Sequence, residues 1–151
     1  MQKYPFLHLA SLVNAAALDP KLLQVLNESD GDLRAEFKKG DLKTWVKPLF
    51  DVYQQDSKSV DLNGMLRPDT GSNCRKAVVC SWVANADCQV ERLLVCNNKL
   101  GPHYGRALGM SLKTNSSLRE LDVSANGLGP DAGKAIAASI ADNSTITSVS
   151  Y

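Results

Sequence analysis

Long hydrophobic runs are missing from this sequence. No uninterrupted apolar stretch approaches the ~20 residues of a membrane-spanning helix, and the apolar residues after Pro5 form too short a run for a secretory signal. A surplus of charge is missing too. Lys and Arg number 17 against 16 Asp and Glu, leaving a formal net charge of +1. Residues 1–61 carry eight basic and nine acidic side chains with no like-charge block. A nucleic acid or an anionic bilayer selects a basic patch, so neither partner is expected. Histidine is limited to His8 and His103, and the cysteines Cys74, Cys80, Cys88 and Cys96 include no Cys-x-x-Cys pair. Zinc sites favour closely spaced ligand pairs, so no metal is expected. Free, mostly buried thiols in a reducing, cytoplasmic setting account for the cysteines. Nucleotide-binding glycine motifs are also lacking. Asp30 and Asp32 begin like a calcium loop, but Arg34 and Ala35 stand where a ligand and a glycine are needed. No cofactor is expected.

What the sequence does have is a period of 28. Leu118, Leu121, Val123, Asn126, Leu128 and Gly129 recur one period earlier as Val90, Leu93, Val95, Asn98, Leu100 and Gly101. Forward by the same step, Leu118, Leu121 and Val123 become Ile146, Val149 and Tyr151. Gly105, Ala107, Leu108, Leu112 and Asn115 likewise match Gly133, Ala135, Ile136, Ile140 and Asn143. The alternation Leu121-x-Val123 suits a short strand with one buried face. Ala132, Ala135, Ile136, Ser139 and Ile140 then recur at helical spacing, with Pro130 in the first turn and Gly129 where the chain bends before it. Asn98 and Asn126 follow the strands and are placed to bond backbone groups in the turns. Each unit alone leaves an apolar edge that a neighbour covers.

The expected fold is therefore α/β: a short solenoid of 28-residue strand–turn–helix units behind an N-terminal helical cap. The cap is assigned to residues 1–61 and the repeats to 62–151. The repeats divide into a degenerate unit at 62–89, regular units at 90–117 and 118–145, and a final strand in 146–151. In the degenerate unit Leu62 and Met65 fall one period before Val90 and Leu93, but Arg67 and Thr70 replace Val95 and Asn98. Whether this unit keeps its strand is left open; its helix is expected near 74–85. Ahead of it, Phe6, Leu9, Ala10, Val13 and Ala17 share one helical stripe. Asp19 and Pro20 restart the chain, and a further helical segment, kinked at Pro48, bears Trp45 and Phe50. These helices are expected to cap the first unit, with a peptide-binding surface at Trp45 or Phe50 as the alternative. The last strand either closes the array or belongs to a longer one.

The pattern LxxLxLxxNxLG, carried by Leu118, Leu121, Val123, Asn126, Leu128 and Gly129, resembles the ribonuclease-inhibitor-like leucine-rich repeat family. The resemblance implies a curved scaffold, with parallel strands on the concave side and helices outside, that binds other proteins. Segment 112–118 also looks like the actin-pointed-end regulators of the tropomodulin kind.

On a strand, side chains beside the buried ones face the other way. The concave set is then Arg92, Leu94 and Cys96, Glu120, Asp122 and Ser124, and Ser148 and Ser150. Arg92 is expected beside Glu120 as a cross-strand ion pair. Glu120 and Asp122 are the nearest approach to paired carboxylates, but no nucleophile accompanies them, so no enzyme is expected. The sequence reads as a non-enzymatic scaffold for a basic or mixed protein partner on this face. The alternative is a structural or cytoskeletal assembly subunit that self-associates at its C-terminal edge. His103 reads as a surface residue and Trp82 as core.

Overall fold

The computed structural model describes residues 48, 49, 51, 52, 55, 56, 58–67, 72–84 and 88–151. The helices expected over residues 6–28, and the surface expected at Trp45 or Phe50, lie outside the described residues. Leu49, in the helical stretch just before the first strand, is fully buried in the common core, and Val52 packs beside it.

Among the described residues, seven elements follow in order: β1 (Ser59–Asp61), α1 (Ser72–Ala84), β2 (Arg92–Leu94), α2 (Gly101–Leu112), β3 (Glu120–Asp122), α3 (Gly129–Asp142) and β4 (Ser148–Ser150). The strands pair in sequence order as one open parallel sheet. Parallel neighbours cannot be joined by a tight hairpin, so each pair is bridged by a helix. Arg92 pairs with Glu120 and Glu120 with Ser148; Leu93 pairs with Leu121 and Leu121 with Val149. Side chains one period apart thus lie next to each other on successive strands.

The core is a set of such columns. Val60, Leu93 and Leu121 are buried, with Val149 partly so; Leu62, Val95 and Val123 form the next row. Leu108, Leu112 and Ile136 close over them from the helices. Each fully buried aliphatic side chain contributes about 1.5–3 kcal/mol. Trp82 is buried among them.

The first unit departs from the sequence expectation. Ser59 pairs with Arg92 and Val60 with Leu93, so the step in sequence number is longer here than between the later strands. Leu62 and Met65 therefore do not sit opposite Val90 and Leu93. Val60 and Leu62 take the places of Leu93 and Val95, and Met65 falls where Asn98 stands one layer on. The surplus lies mainly in the strand-to-helix connection, residues 62–71 against 95–100 in the next unit. A loop insertion is thermodynamically cheap, so it shifts the count without disturbing the layer. The strand is kept, at 59–61, just ahead of the expected start of the repeats at residue 62.

The turn after each full strand is built alike. Asn97, Lys99 and Gly101 have φ of 57°, 52° and 71°; Ala125, Gly127 and Gly129 have 56°, 63° and 76°. Every second residue is left-handed, which curls the chain sharply back toward the helix. Glycine carries the last such position in both turns, where Pro102 or Pro130 follows.

The helices approach closely. A Cβ built on Gly105 falls 2.6 Å from Ala132 Cβ and 2.8 Å from Leu128 Cδ2. One built on Gly109 falls 3.0 Å from the Ala135 carbonyl carbon. The buried Ser139 hydroxyl donates to the Gly109 carbonyl across the α2–α3 interface. On α1, Lys76 is buried with its Nζ 4.7 Å from the centre of the Tyr104 ring, which offsets part of its desolvation.

Cys80 lies in this interior, whereas Cys88 and Cys96 are half-buried. Burial pushes the Cys80 thiol up to about 12 from 9.0, opposed by a hydrogen bond with Ser111. Because the folded pKa is raised, the neutral thiol's contribution is complete below the unfolded pKa and is lost as pH climbs from about 9 to about 12. Iodoacetamide at pH ~8 is expected to modify Cys88 and Cys96 in the native chain and to spare Cys80. Peptide mapping that finds Cys80 alkylated at the rate of the urea-unfolded chain would refute this packing.

Candidate functional site

Among the described residues, the sheet face turned away from the core is a surface on which successive strands present exposed side chains in register. One row runs Ser59, Arg92, Glu120, Ser148, and the next Asp61, Leu94, Asp122, Ser150. All are exposed or half-buried, while Val60, Leu93 and Leu121 between them are buried. Arg92, Leu94, Glu120, Asp122, Ser148 and Ser150 stand in these rows, and Cys96 and Ser124 lie just past the strand ends, both half-buried. Adjacent strands lie about 4.8 Å apart, so a partner meets a closely spaced lattice of side chains.

Arg92 Nε lies 3.4 Å from Glu120 Oε2, with both side chains about half exposed at 50% and 53%. In water such a pair contributes only about 0–1 kcal/mol. Arg92→Ala is therefore expected to shift stability by less than about 1 kcal/mol in urea denaturation; a loss above about 2 kcal/mol would mean that the pair is structural. Asp122 Oδ1 accepts from the Ser124 amide at 3.0 Å and the Ser124 hydroxyl at 2.6 Å. Asp61 does the same for the Asn63 amide at 3.0 Å, ending β1 in the same way. Leu94 thus stands between two carboxylates, those of Asp61 and Asp122, with the Arg92–Glu120 pair alongside.

Behind this face runs an asparagine column. The buried Asn98 amide nitrogen donates to the Leu62 carbonyl at 3.0 Å and the Val95 carbonyl at 2.9 Å. Its Oδ1 accepts from the Leu66 amide at 2.7 Å. Asn126 repeats the arrangement one layer on. Its Nδ2 donates to the Val95 and Val123 carbonyls, both at 2.9 Å. Its Oδ1 accepts from the Asn98 amide at 2.8 Å and the Leu100 amide at 3.4 Å. The carboxamide is the one neutral side chain of this size that both donates twice and accepts twice, which is why it recurs here. Adjacent turns are thereby locked to each other and the sheet face is held rigid.

A second column went unassigned in the sequence reading. Asn115 Nδ2 donates to the Val83 carbonyl at 2.9 Å, and its Oδ1 accepts from the Ser117 and Leu118 amides at 3.0 and 2.7 Å. Asn143 Nδ2 reaches the Leu112 and Asn115 carbonyls at 3.1 and 3.0 Å, and its Oδ1 accepts from the Ile146 amide at 3.0 Å. These asparagines guide the chain from each helix into the next strand. That they too are one period apart was the available signal. Ser59, Asp61 and Asn63 were also missed, a consequence of the register of the first unit; the alternation Val60-x-Leu62 was the signal for them.

His103 sits half-buried in the first turn of α2. Among the described residues, no group of three or more His, Cys, Asp or Glu side chains is placed to hold a metal ion. Among the same residues, no helix is long and apolar enough to cross a membrane. No family model, no curated protein and no solved structure matches the chain.

Proposed function

We propose that this chain is a non-enzymatic protein-binding module: a short solenoid of ribonuclease-inhibitor-like leucine-rich repeats that captures its partner on the concave strand face. The observation that carries the reading is the in-register exposure of Arg92, Leu94, Glu120 and Asp122 on a rigid sheet whose opposite face is core. A fixed lattice with an apolar centre and flanking charges suits recognition of another folded surface, because little side-chain order remains to be imposed on binding. Asp61, Glu120 and Asp122 outnumber Arg92 there, which favours a partner segment of basic or mixed character with an apolar contact for Leu94. The carboxylates already serve the cross-strand pair and the strand-end turns. That is consistent with a binding surface and gives no support to acid–base catalysis.

The test is comparative capture from the source cell. A photo-crosslinker at position 94 is expected to trap one partner, and the Glu120→Arg, Asp122→Arg double variant is expected to release it with little change in circular dichroism. Ala138→Arg, on the exposed face of α3, should leave capture intact. Equal capture by all three chains would count against the strand face.

A further inference from the structure

The strand face carries a spacing as well as a charge. Across the sheet, Asp61, Leu94 and Asp122 stand side by side on successive strands. Asp61 is exposed, and Leu94 and Asp122 are half-buried. An apolar side chain is thus set between two carboxylates. Oδ1 of Asp61 accepts from the Asn63 amide, and Oδ1 of Asp122 from the Ser124 amide and hydroxyl. Among the described residues, no donor reaches the second oxygen of either carboxylate. In the neighbouring row the Arg92 guanidinium already meets Glu120. The charge left for a partner to answer is therefore at Asp61 and Asp122, one strand to either side of Leu94.

The spacing selects the form of the partner. Two steps from strand to strand cover about 9.6 Å. On an α-helix seven residues rise about 10.5 Å, and the residue three or four along falls midway on the same face. A helix laid across the strands therefore brings a basic, an apolar and a second basic side chain over Asp61, Leu94 and Asp122 in turn. An extended segment laid the same way repeats a face about every 6.7 Å, so two repeats run to about 13 Å and overshoot the second carboxylate. Laid along β2 instead, an extended segment with its apolar residue over Leu94 sets the residue two positions away over Arg92. A basic side chain there meets a like charge.

From this match of charge and spacing, we infer that the strand face takes an amphipathic α-helix of a partner protein, laid across the strands. The helix carries Lys or Arg at two positions seven apart, with a leucine or a similar apolar residue between them. The apolar pair at Leu94 supplies the desolvated centre of the contact. The flanking ion pairs fix the register of the helix and reject acidic helices. This inference rests on the strand face being the binding surface and adds the form of the partner to that reading.

The probe is a lactam-stapled synthetic helix with Lys-x-x-Leu-x-x-x-Lys on one face of an alanine–glutamine background, titrated into the 15N-labelled full chain. Saturable shifts are expected at Asp61, Leu94 and Asp122, with Gly133 unmoved. A stapled peptide of the same composition, with both lysines moved to the face opposite the leucine, should bind at least about fivefold more weakly. An unstapled version broken by a central proline should lose as much. Asp61→Asn combined with Asp122→Asn keeps an Oδ1 for each turn and removes only the charges. That chain should bind the probe about fivefold more weakly with its melting temperature little changed. No saturable shift at millimolar peptide would overturn the inference, as would equal binding by the displaced-lysine or the proline peptide. In the capture experiment, a partner crosslinked at position 94 through a segment without this basic–apolar–basic helix would overturn the helix and leave the strand face standing. Capture indifferent to Glu120 and Asp122 would remove the strand face itself, and the helix with it.

Discussion

Asn98→Ala is expected to destabilise the fold by about 2–4 kcal/mol. The truncation removes three hydrogen bonds: the Leu66 amide loses its Asn98 acceptor, while the Leu62 and Val95 carbonyls each lose one donor and keep another, the Met65 amide and Asn126 Nδ2. Asn98 is 0% exposed, so water reaches these groups only if the turn opens. Each lost hydrogen bond costs about 0.5–1.5 kcal/mol net, and the buried Leu66 amide lies at the upper end of that scale. Asn98→Asp is the informative companion. It preserves shape but offers two acceptors to two carbonyls, so the loss at neutral pH should be at least as large. A carboxyl buried there has a folded pKa above its unfolded value near ~3.9. The variant is therefore at its most stable below about pH 4 and weakens as pH rises through the folded pKa. Urea denaturation of both variants at two pH values checks this. A loss below about 1 kcal/mol for Asn98→Ala would mean that the column is decorative.

The second large effect separates two glycines that hold the same place in successive units. Gly105→Ala drives a methyl to 2.6 Å from Ala132 Cβ, a neighbour with no rotamer to turn away. Overpacking of this kind costs about 1–3 kcal/mol, and the closeness here sets the expectation at the upper end, with α2 and α3 pushed apart. Gly133→Ala meets nothing within 4 Å and removes a glycine from a helix interior, so it is expected to stabilise by about 0.5–1 kcal/mol. Opposite signs at equivalent positions are the signature of a layer that is covered on one side and open on the other. Thermal melts of the two variants read the difference directly. Equal destabilisation by both would contradict the difference in packing at the two positions.

Much of this was legible in the sequence because the repeat has both a strand and a helix signal inside it. Leu93, Leu121 and Val149 announced their column, and the exposed neighbours Arg92, Glu120 and Ser148 followed from strand alternation alone. The first unit was misplaced for a definite reason. Leu62 and Met65 offer two apolar matches at the regular period, whereas Val60 and Leu62 offer two at the longer step that the strand pairing uses. Apolar matching cannot choose between them when the difference is absorbed in a loop. The deciding feature is the hydrogen bond from the Leu66 amide to Asn98, which joins groups far apart in sequence. Asn115 and Asn143 were visible as a repeat but not as hinges from helix to strand, since their partners Val83 and Leu112 are backbone carbonyls with no side-chain signature. The exposed face of β2, β3 and β4 could be named residue by residue; that of β1 could not. The identity of what binds there depends on a partner's surface, which no spacing in this chain encodes.

Everything proposed for the strand face requires that side chains one period apart in sequence be neighbours in space. Methyl-labelled NMR addresses that requirement most directly. Leu93, Leu121 and Val149 should show sequential methyl–methyl Overhauser contacts, Leu93 to Leu121 and Leu121 to Val149, with none between Leu93 and Val149 two strands away. Contacts that tie Leu121 to unrelated residues, while missing both Leu93 and Val149, would contradict the layered fold and remove the strand face with it.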